Sequence, residues 1–307
     1  MAGTPVTLFQ GPRGSSDERA ALLFDGIEPT QVLSLDSLDE LLFTVDTVDG
    51  TFGIIPLENN VNGEFTGVLS RLILTTEHCM VTQVRTLEEE IGAYGLVGNV
   101  IPREALVNAD ILPKFSSALR ELDVEALPAE TTYEACKAVV ERGNPEMIAF
   151  APKPVAESLG LVPVVTLAHH NQVLRTRYGL LQRDPILSNK SSRSTFLLWP
   201  KEDSVGTLST MLEEFKVNSI DIASLRSFLF ALDASHAFLF SVNNGLLDPK
   251  LQATLKTLVG QGVRVRLLGD YAIEDLLPID TSVEKVRMID GTANYDAEIS
   301  RLSGGKA

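Results

Sequence analysis

The sequence predicts an α/β protein with a larger first part and a smaller second part. Between residues 6 and 181, apolar runs typical of strands alternate with helical patterns, which indicates βαβ units and a largely parallel sheet. A polar stretch with proline and no periodicity follows and is typical of a linker. Beyond it the pattern is strand, helix, strand, strand, helix, strand, the order of a ferredoxin-like sheet.

The first part begins with an apolar run at residues 6–9, a Gly-Pro-Arg-Gly-Ser-Ser turn and a helical pattern from residue 17. Further strands are expected at 51–57, 91–97 and 147–151, and helices at 112–122 and 133–142. Residues 72–85 and 162–178 are the expected crossings between two lobes. A cleft between lobes is a natural place for a small ligand.

The second part has strand-like runs at residues 194–199, 217–225, 237–242 and 263–268, and helical patterns at 206–216 and 248–259. The expected boundaries are 5–182 for a bilobal catalytic domain, 183–192 for the linker, 193–272 for the second domain and 273–307 for a partly ordered extension.

Composition limits the classes of function. The chain has 307 residues, 44% of them hydrophobic, which is enough for two or three lobes with cores of their own. Its net charge of −15 argues against nucleic acid and anionic membranes as partners, although a local cleft can still bind an anionic metabolite. Because no window approaches the roughly 18 apolar residues of a membrane span and the start lacks a secretion signal, a cytoplasmic protein is expected.

The residue pattern gives no indication of a metal or cofactor. Cys79 and Cys136 lie far apart without metal-ligand spacing and are interpreted as packing residues. His78, next to Cys79, would point to the opposite face of an extended strand. The adjacent pair His169 and His170 is not expected to converge on one ion.

Three short motifs carry candidate chemistry. Thr176 and Arg177 place a hydroxyl donor beside a planar guanidinium, which suits an anionic substrate with a leaving hydroxyl. At the first turn, Ser15 or Ser16 could cap a helix whose free N–H groups favour an anion. The strand expected at 51–57 runs into the polar residues Glu58, Asn59 and Asn60, where open α/β sheets place ligand groups. An exposed structural pair, an ordinary capped helix and a backbone turn are the respective structural alternatives.

The order of these motifs, with Thr131-Thr132-Tyr133-Glu134-Ala135, resembles the prephenate dehydratases that carry a carboxyl-terminal ACT regulatory domain. The likeness extends from about residue 6 to 271. It implies a periplasmic-binding-protein-like (type II) catalytic domain, a carbon-oxygen lyase of phenylalanine biosynthesis that needs no cofactor, and a homodimer or homotetramer with phenylalanine as effector. Prephenate loses carbon dioxide and hydroxide to give phenylpyruvate.

The resemblance also implies residue roles. Thr176 would hydrogen-bond the leaving hydroxyl, Arg177 would pair with a substrate carboxylate, and Glu58 would help to orient the set. The remaining expected substrate-binding residues lie in the other motifs: Gly14, Ser15, Asn59, Asn60, Thr131 and Thr132. The expected regulatory residues are Gly206, Thr207, Leu208 and Ser224.

The chain departs from the family pattern in both parts. Asn60, Tyr178 and Thr131 stand where the family has Ser, Phe and Ser. In the second part, Gly-Thr-Leu at 206–208 replaces Gly-Ala-Leu, and Ala-Ser-Leu-Arg at 223–226 replaces Glu-Ser-Arg-Pro. Three alternatives follow: an enzyme that decarboxylates prephenate and retains the hydroxyl, an enzyme that uses arogenate, and a non-catalytic ligand sensor.

Overall fold

The computed structural model describes residues 5–230, 235–273 and 277 as a mixed α/β protein, which confirms the predicted class. The strands before the linker are β1 (Val6–Gln10), β2 (Val32–Leu35), β3 (Thr51–Asn59), β4 (Gly63–Glu64), β5 (Cys79–Gly95), β6 (Glu104–Asn108), β7 (Glu125–Ala129), β8 (Met147–Pro152), β9 (Val162–Pro163) and β10 (Gln172–Arg183). The helices are α1 (Ser16–Ala21), α2 (Leu38–Thr47), α3 (Thr66–Thr75), α4 (Leu112–Glu121), α5 (Thr132–Arg142) and α6 (Lys153–Ser158), with short 3₁₀ helices at Pro29–Gln31 and Val165–His170.

The first lobe is built on β1, which pairs in parallel with β2 and β3. Strand β10 returns antiparallel beside β3, and β5 lies on its other side. Helix α2 forms because its sequence supplies both a cap and an apolar face. Ser37 caps the first turn by accepting a hydrogen bond from the Glu40 backbone amide. The buried residues of the helix, Leu41, Leu42 and Val45, share one face.

The second lobe continues the same sheet. The end of β5 pairs with β8, β8 pairs with β6, and β6 pairs with β7. Every residue of β8 is buried, which explains why this strand is a continuous apolar run and not an alternating one. Helix α5 covers β8, begins at its cap Thr131 and ends at Gly143, whose φ of 63° is left-handed.

The two lobes are joined by β5 and β10, which pair with one another from Cys79 to Ile91. These crossings differ from the expected ranges. Residues 72–75 complete helix α3, and 165–170 form a 3₁₀ helix. The polar residues Thr76, Glu77 and His78 separate the helix from the apolar run that starts β5, so this crossing begins later than the sequence pattern predicts.

The part beyond the linker contains β11 (Arg193–Trp199), α7 (Thr207–Val217), β12 (Ile222–Phe230), β13 (Ser235–Val242), α8 (Pro249–Gly260) and β14 (Arg264–Tyr271). The spatial order of its strands is β12-β13-β11-β14, all neighbours antiparallel, the ferredoxin-like arrangement that the element order predicts. Both helices pack on the sheet in one apolar core, where Phe215 of α7 stacks against Phe196 of β11 and Phe240 of β13. One parallel pair, Gly269 with Val81, links β14 to β5.

The strand expected at 217–225 lies further along the chain. Helix α7 extends through Val217, which is largely exposed, and Ser219 has a φ of 55° that turns the chain out of the helix. Strand β12 then starts at Ile222. Val217 is β-branched, which favours strands, but here it ends a helix.

Both cysteines are free and buried, as the packing interpretation expects. No helix in the part of the chain that the structure describes is long and apolar enough to cross a membrane. The expected carboxyl-terminal extension, residues 273–307, lies outside the described residues apart from 273 and 277.

Candidate functional site

A cleft between the two lobes encloses about 840 Å³ of space that is open to solvent. The first lobe and the crossing strands contribute Gln10, Gly11, Pro12, Ser15, Ser16, Asp17, Pro56, Asn59, Phe65, Glu89, Leu174, Thr176 and Tyr178. The second lobe contributes Asn108, Asp110, Ile111, Glu130, Thr131, Thr132 and Tyr133.

Strand β10 forms the floor of the cleft through alternate residues. Leu174, Thr176 and Tyr178 all line the cleft because side chains two apart share one face of a strand. Thr176 is 6% exposed and lies opposite Asn59 in the register of β10 with β3. The structure therefore places the threonine hydroxyl in a nearly dry position between the lobes.

Asn59 also lines the cleft, and its side chain shapes the turn after β3. Its Oδ1 accepts hydrogen bonds from the backbone N–H groups of Val61 (2.9 Å) and Asn62 (2.7 Å). The side-chain amide of Asn62 in turn donates to the backbone oxygen (3.1 Å) and a carboxylate oxygen (3.3 Å) of Asp110 on the second lobe. This turn therefore connects the two sides of the cleft.

The expectation that Arg177 and Glu58 face the same cleft as Thr176 is wrong. Neither residue lines the cleft, and the two form an ion pair with each other on the opposite face of the sheet. The physical reason on β10 is the pleat, since the neighbours Thr176 and Arg177 must point to opposite faces. Arg177 is 3% exposed, so its charge is buried where the sheet meets the second part of the chain.

That ion pair lines a second cavity, with about 540 Å³ of empty space, between the first lobe and the ferredoxin-like part. Side chains from both parts surround it, including Glu64 and Leu69 from the first lobe and Thr195, Ser241 and Tyr271 from the second part. A substrate carboxylate in the cleft is consequently separated from Arg177 by the sheet.

The turn before α1 is arranged differently from the expected anion site. Ser15 caps the helix, its Oγ accepting from the Glu18 amide at 3.4 Å, and it lines the cleft. Gly14 does not line the cleft, and its amide donates to the Glu18 carboxylate at 2.6 Å. With a φ of 87°, Gly14 serves the turn, and its N–H is already occupied.

Of the remaining sequence-predicted substrate-binding residues described next, Thr131 and Thr132 line the cleft and Asn60 does not. Thr131 caps α5, its Oγ1 accepting from the Glu134 amide at 3.1 Å, and both Thr131 and Thr132 line the cleft. Asn60 does not line it, and its side chain bonds the backbone of β10, accepting from the Arg175 amide and donating to the Val173 oxygen. Asn60 thus has a structural contact that accounts for its burial.

Sequence reasoning missed an acidic cluster beside Thr176. Tyr178 hydrogen-bonds Asp17, and Glu89, which is 8% exposed, forms an ion pair with Arg19. Burial raises the pKa of Asp17 to about 6, and the charge of Glu89 adds to this, while the Tyr178 hydrogen bond and Arg19 lower it. Tyr178 replaces the family's Phe, and a buried tyrosine hydroxyl that needs a partner was the available signal.

The charged side chains that line the cleft are all acidic. Its charged lining consists of carboxyl groups, namely Asp17, Glu89, Asp110 and Glu130, and none of the described lining residues is Lys, Arg or His. Burial also raises the pKa of Asp110. Among the described residues, no group of three or more potential ligands is placed to hold a metal ion. The cleft offers hydroxyl and amide donors to an anion, together with carboxyl groups of unusual pKa.

The expected regulatory residues occupy two places: Gly206, Thr207 and Leu208 are consecutive at the start of α7, and Ser224 lies on β12. Gly206 precedes α7 with a φ of 97°, Thr207 accepts a hydrogen bond from the Ser204 amide, and Leu208 packs against the core of the second part. Ser224, on β12, instead donates to the Glu64 carboxylate of the first lobe at 3.0 Å. Arg226 donates to the same carboxylate.

Comparison with known proteins gives a consistent result. The sequence profile described as prephenate dehydratase matches residues 7–186. A curated prephenate dehydratase from Lactococcus lactis subsp. lactis (strain IL1403) is 23% identical over 284 residues, which cover 87% of this chain and 98% of the relative.

Solved structures share the fold over most of the chain. A prephenate dehydratase from Arthrobacter aurescens in complex with L-Phe has a TM-score of 0.74 at 18% identity, covering 97% of this chain and 98% of that one. GqqA, described as a novel type of quorum quenching acylase, has a TM-score of 0.70 at 19% identity, covering 88% and 98%. At these identities the likeness concerns the fold alone.

Proposed function

This chain belongs to the prephenate dehydratase family, and we propose that it converts prephenate to phenylpyruvate in the cleft between its lobes. The observation that carries the proposal is the position of Thr176, buried on the cleft floor opposite Asn59. The enzyme is a carbon-oxygen lyase, and the step belongs to phenylalanine biosynthesis.

The reaction makes limited demands on the protein. The C–O bond to the ring hydroxyl breaks, the ring carboxylate leaves as carbon dioxide, and the electron pair of the C–C bond completes the aromatic ring. Because aromatisation supplies most of the driving force, the protein must hold the dianion, stabilise the departing oxygen and exclude water. Thr176 would donate a hydrogen bond to that oxygen as negative charge develops on it.

The substrate carboxylates need donors other than Arg177. The hydroxyls of Ser15, Thr131 and Thr132 line the cleft from both lobes. Ser15 and Thr131 each use an oxygen lone pair to cap a helix, which leaves the hydroxyl hydrogen able to donate. We propose that these groups, with Asn59 placing the turn that joins the lobes, hold the substrate.

Thr176→Val tests the proposal because it removes the hydroxyl and keeps the branched shape. We expect kcat to fall by about 10²–10³, with a smaller change in KM. Thr82→Val is the matched control, since the Thr82 hydroxyl also makes a hydrogen bond, to the Leu180 oxygen at 3.3 Å, but does not line the cleft. An unchanged kcat for Thr176→Val would overturn the role of Thr176.

Product identity separates the alternatives. Incubation with prephenate, followed by ultraviolet absorbance and product mass, gives phenylpyruvate for a dehydratase and a product that retains the hydroxyl for a decarboxylase. Binding without turnover indicates a sensor. Arogenate is run beside prephenate to determine whether an amino or a keto group is preferred. No histidine is found among the described lining residues to activate Ser15 or Ser16, so the cleft gives no support for acylase chemistry.

We further propose that residues 5–182 form the catalytic domain, 183–192 the linker and 193–272 an ACT regulatory domain that binds phenylalanine. The bonds from Ser224 and Arg226 to Glu64 support communication between the parts, because they attach β12 to β4, which pairs with the end of β3 that carries Asn59. A cytoplasmic location and assembly into a homodimer or homotetramer belong to the same proposal. Inhibition by L-Phe in the wild type that weakens in Glu64→Gln would support it, and a wild type that is insensitive to L-Phe would contradict it.

A further inference from the structure

We propose that Asp17 is a further catalytic residue, the carboxylic acid that gives its proton to the hydroxyl leaving the substrate. This inference deepens the proposed function and rests on it. Asp17 is the second residue of α1, just after the Gly-Pro-Arg-Gly-Ser turn, and lies outside the motifs that carry the family resemblance.

Asp17 lines the same cleft as Thr176. Asp17 is half-buried in the first turn of α1 and lines the cleft together with Thr176 and Tyr178, which project from the same face of β10. The Tyr178 hydroxyl hydrogen-bonds the Asp17 carboxyl, and Tyr178 as a residue is 4% exposed. Asp17 is therefore held on the same wall as the hydroxyl that faces the leaving group.

The reaction requires a proton donor. When the C–O bond breaks, its electron pair stays on oxygen, and one proton converts the departing hydroxide to water. The electron pair of the C–C bond to the ring carboxylate fills the aromatic ring, and carbon dioxide leaves. Each turnover of the dianion thus consumes one proton, which Asp17 would donate and then regain from solvent. The Thr176 hydroxyl is too weak an acid to supply it.

The other carboxyl groups of the cleft are less suited to this role. Glu89 is already engaged in an ion pair with Arg19. Asp110 and Glu130 stand on the second lobe, away from the face that carries Thr176. Asp17 lines the same cleft as Thr176, and its pKa of about 6 leaves about half of it protonated at pH 6 and roughly one tenth at pH 7.

The groups that face Asp17 act on its pKa in known directions. Glu89 on β5 raises the pKa, whereas Tyr178 on β10 and Arg19 on α1 lower it. Asp110, Glu130 and Tyr133 face it from across the cleft. A bound substrate with two carboxylates adds negative charge nearby and raises the pKa of Asp17 further, so the acid is protonated in the complex.

The test compares pH profiles of Asp17→Asn and the wild type with prephenate between pH 5 and pH 9. In the wild type, kcat/KM should fall about tenfold per pH unit above roughly pH 6, as the free acid loses its proton. Asp17→Asn should lose about a hundredfold or more in kcat and should lack this fall, with KM unchanged or lower because a negative charge has been removed.

Asp110→Asn is the matched control because it makes the same charge change in the same cleft. It should keep the fall in kcat/KM near pH 6, whatever its effect on the rate. If Asp17→Asn keeps both its rate and this fall, Asp17 is not the acid. If both variants lose the same rate and both keep the fall, cleft charge and not proton donation explains the loss, and the proposal is overturned.

Two tuning variants test the proposal should Asp17→Asn fail to fold. Glu89→Gln removes a negative charge and releases Arg19, so the fall should move to lower pH. Tyr178→Phe removes a donor to the carboxylate, so the fall should move to higher pH. Shifts in these opposite directions support Asp17, and a fall that neither variant moves overturns it. A wild type that makes no phenylpyruvate would overturn the proposed function as well, which distinguishes the two failures.

Discussion

The buried pair of Arg177 and Glu58 gives a direct test of the structure against the role that sequence resemblance assigns to Arg177. The Arg177 side chain is 4% exposed and that of Glu58 is 23% exposed. We expect Glu58→Met to destabilise the protein by about 3 kcal/mol, because it leaves a guanidinium buried without its carboxylate partner. Arg177→Met should cost less, about 1–2 kcal/mol, because Glu58 retains some access to water.

The double variant Glu58→Met with Arg177→Met sharpens this prediction. Replacing a buried ion pair by apolar side chains of similar volume is often close to neutral, so the double variant should return to within about 1 kcal/mol of the wild type. The coupling between the two sites would then be about 3 kcal/mol or more, well above the value for independent positions. Urea denaturation midpoints measure the stabilities, and the KM for prephenate is measured on the same samples.

The neighbouring pair of Arg175 and Glu88 provides the control. It is close, at 2.7 Å, but its side chains are 47% and 59% exposed, so Glu88→Met should cost less than about 1 kcal/mol. In all these variants KM should stay within about threefold of the wild-type value, because the pairs lie outside the cleft. A tenfold rise in KM for Arg177→Met with an unchanged midpoint would mean that Arg177 holds the substrate, and the placement described above would fail.

The remaining predictions concern acid burial, packing and thiol chemistry. The native pKa of Asp17, about 6, exceeds its ordinary 3.8, so the native state holds the extra proton between these values and stability falls as pH rises through 6. Asp17→Asn should therefore raise the free energy of unfolding at pH 7 by up to about 3 kcal/mol and leave it nearly unchanged at pH 4, as urea denaturation at both pH values would measure. Gly179→Ala should cost about 1–3 kcal/mol, since a β-carbon there would lie 2.8 Å from a valine methyl group, while Gly67→Ala, with open space at its position in α3, should be neutral or stabilising. Burial raises the pKa of the Cys136 thiol to about 12 and raises that of Cys79 as well, so neither should react with a thiol reagent at pH 8 until the protein unfolds.

Much of the fold follows from local patterns. Continuous apolar sequence predicts the buried strand β8, and the helical pattern at 133–142 predicts α5 to within one residue. The βαββαβ order of the second part is predicted as well, although Val217 shows that one β-branched residue does not settle where a helix ends.

The contacts that define the site depend on pairs far apart in sequence. The ion pair between Arg19 and Glu89 joins residues 70 positions apart, and the bond from Ser224 to Glu64 joins residues 160 apart. The polar character of these side chains does not select their partners, because each could pair with other polar groups. Tertiary packing brings them together, Arg19 on α1 with Glu89 on β5 and Ser224 on β12 with Glu64 on β4. Pairing of this kind is not encoded in a local pattern.

The separation of Thr176 from Glu58 has a cause that is partly visible in the sequence. On β10, strict alternation places Thr176 and Tyr178 in the cleft. Opposite them the register shifts, so that Tyr178 pairs with Pro56 and Arg177 with Glu58, which leaves Leu57 as an extra residue on β3. Leu57 and Glu58 consequently both line the second cavity, whereas Pro56 and Asn59 line the cleft.

A proline inside an otherwise sheet-forming run is a mark of such a bulge, because proline cannot donate to the ladder. Without the bulge, alternation from Pro56 would place Glu58 in the cleft beside Thr176, adding another carboxylate to a wall that already carries Asp17 and Glu89. The bulge instead turns Glu58 to the opposite face, where it neutralises Arg177. The bulge thus limits the negative charge in the cleft. It also completes the buried ion pair of Arg177 and Glu58 on the opposite face of the sheet.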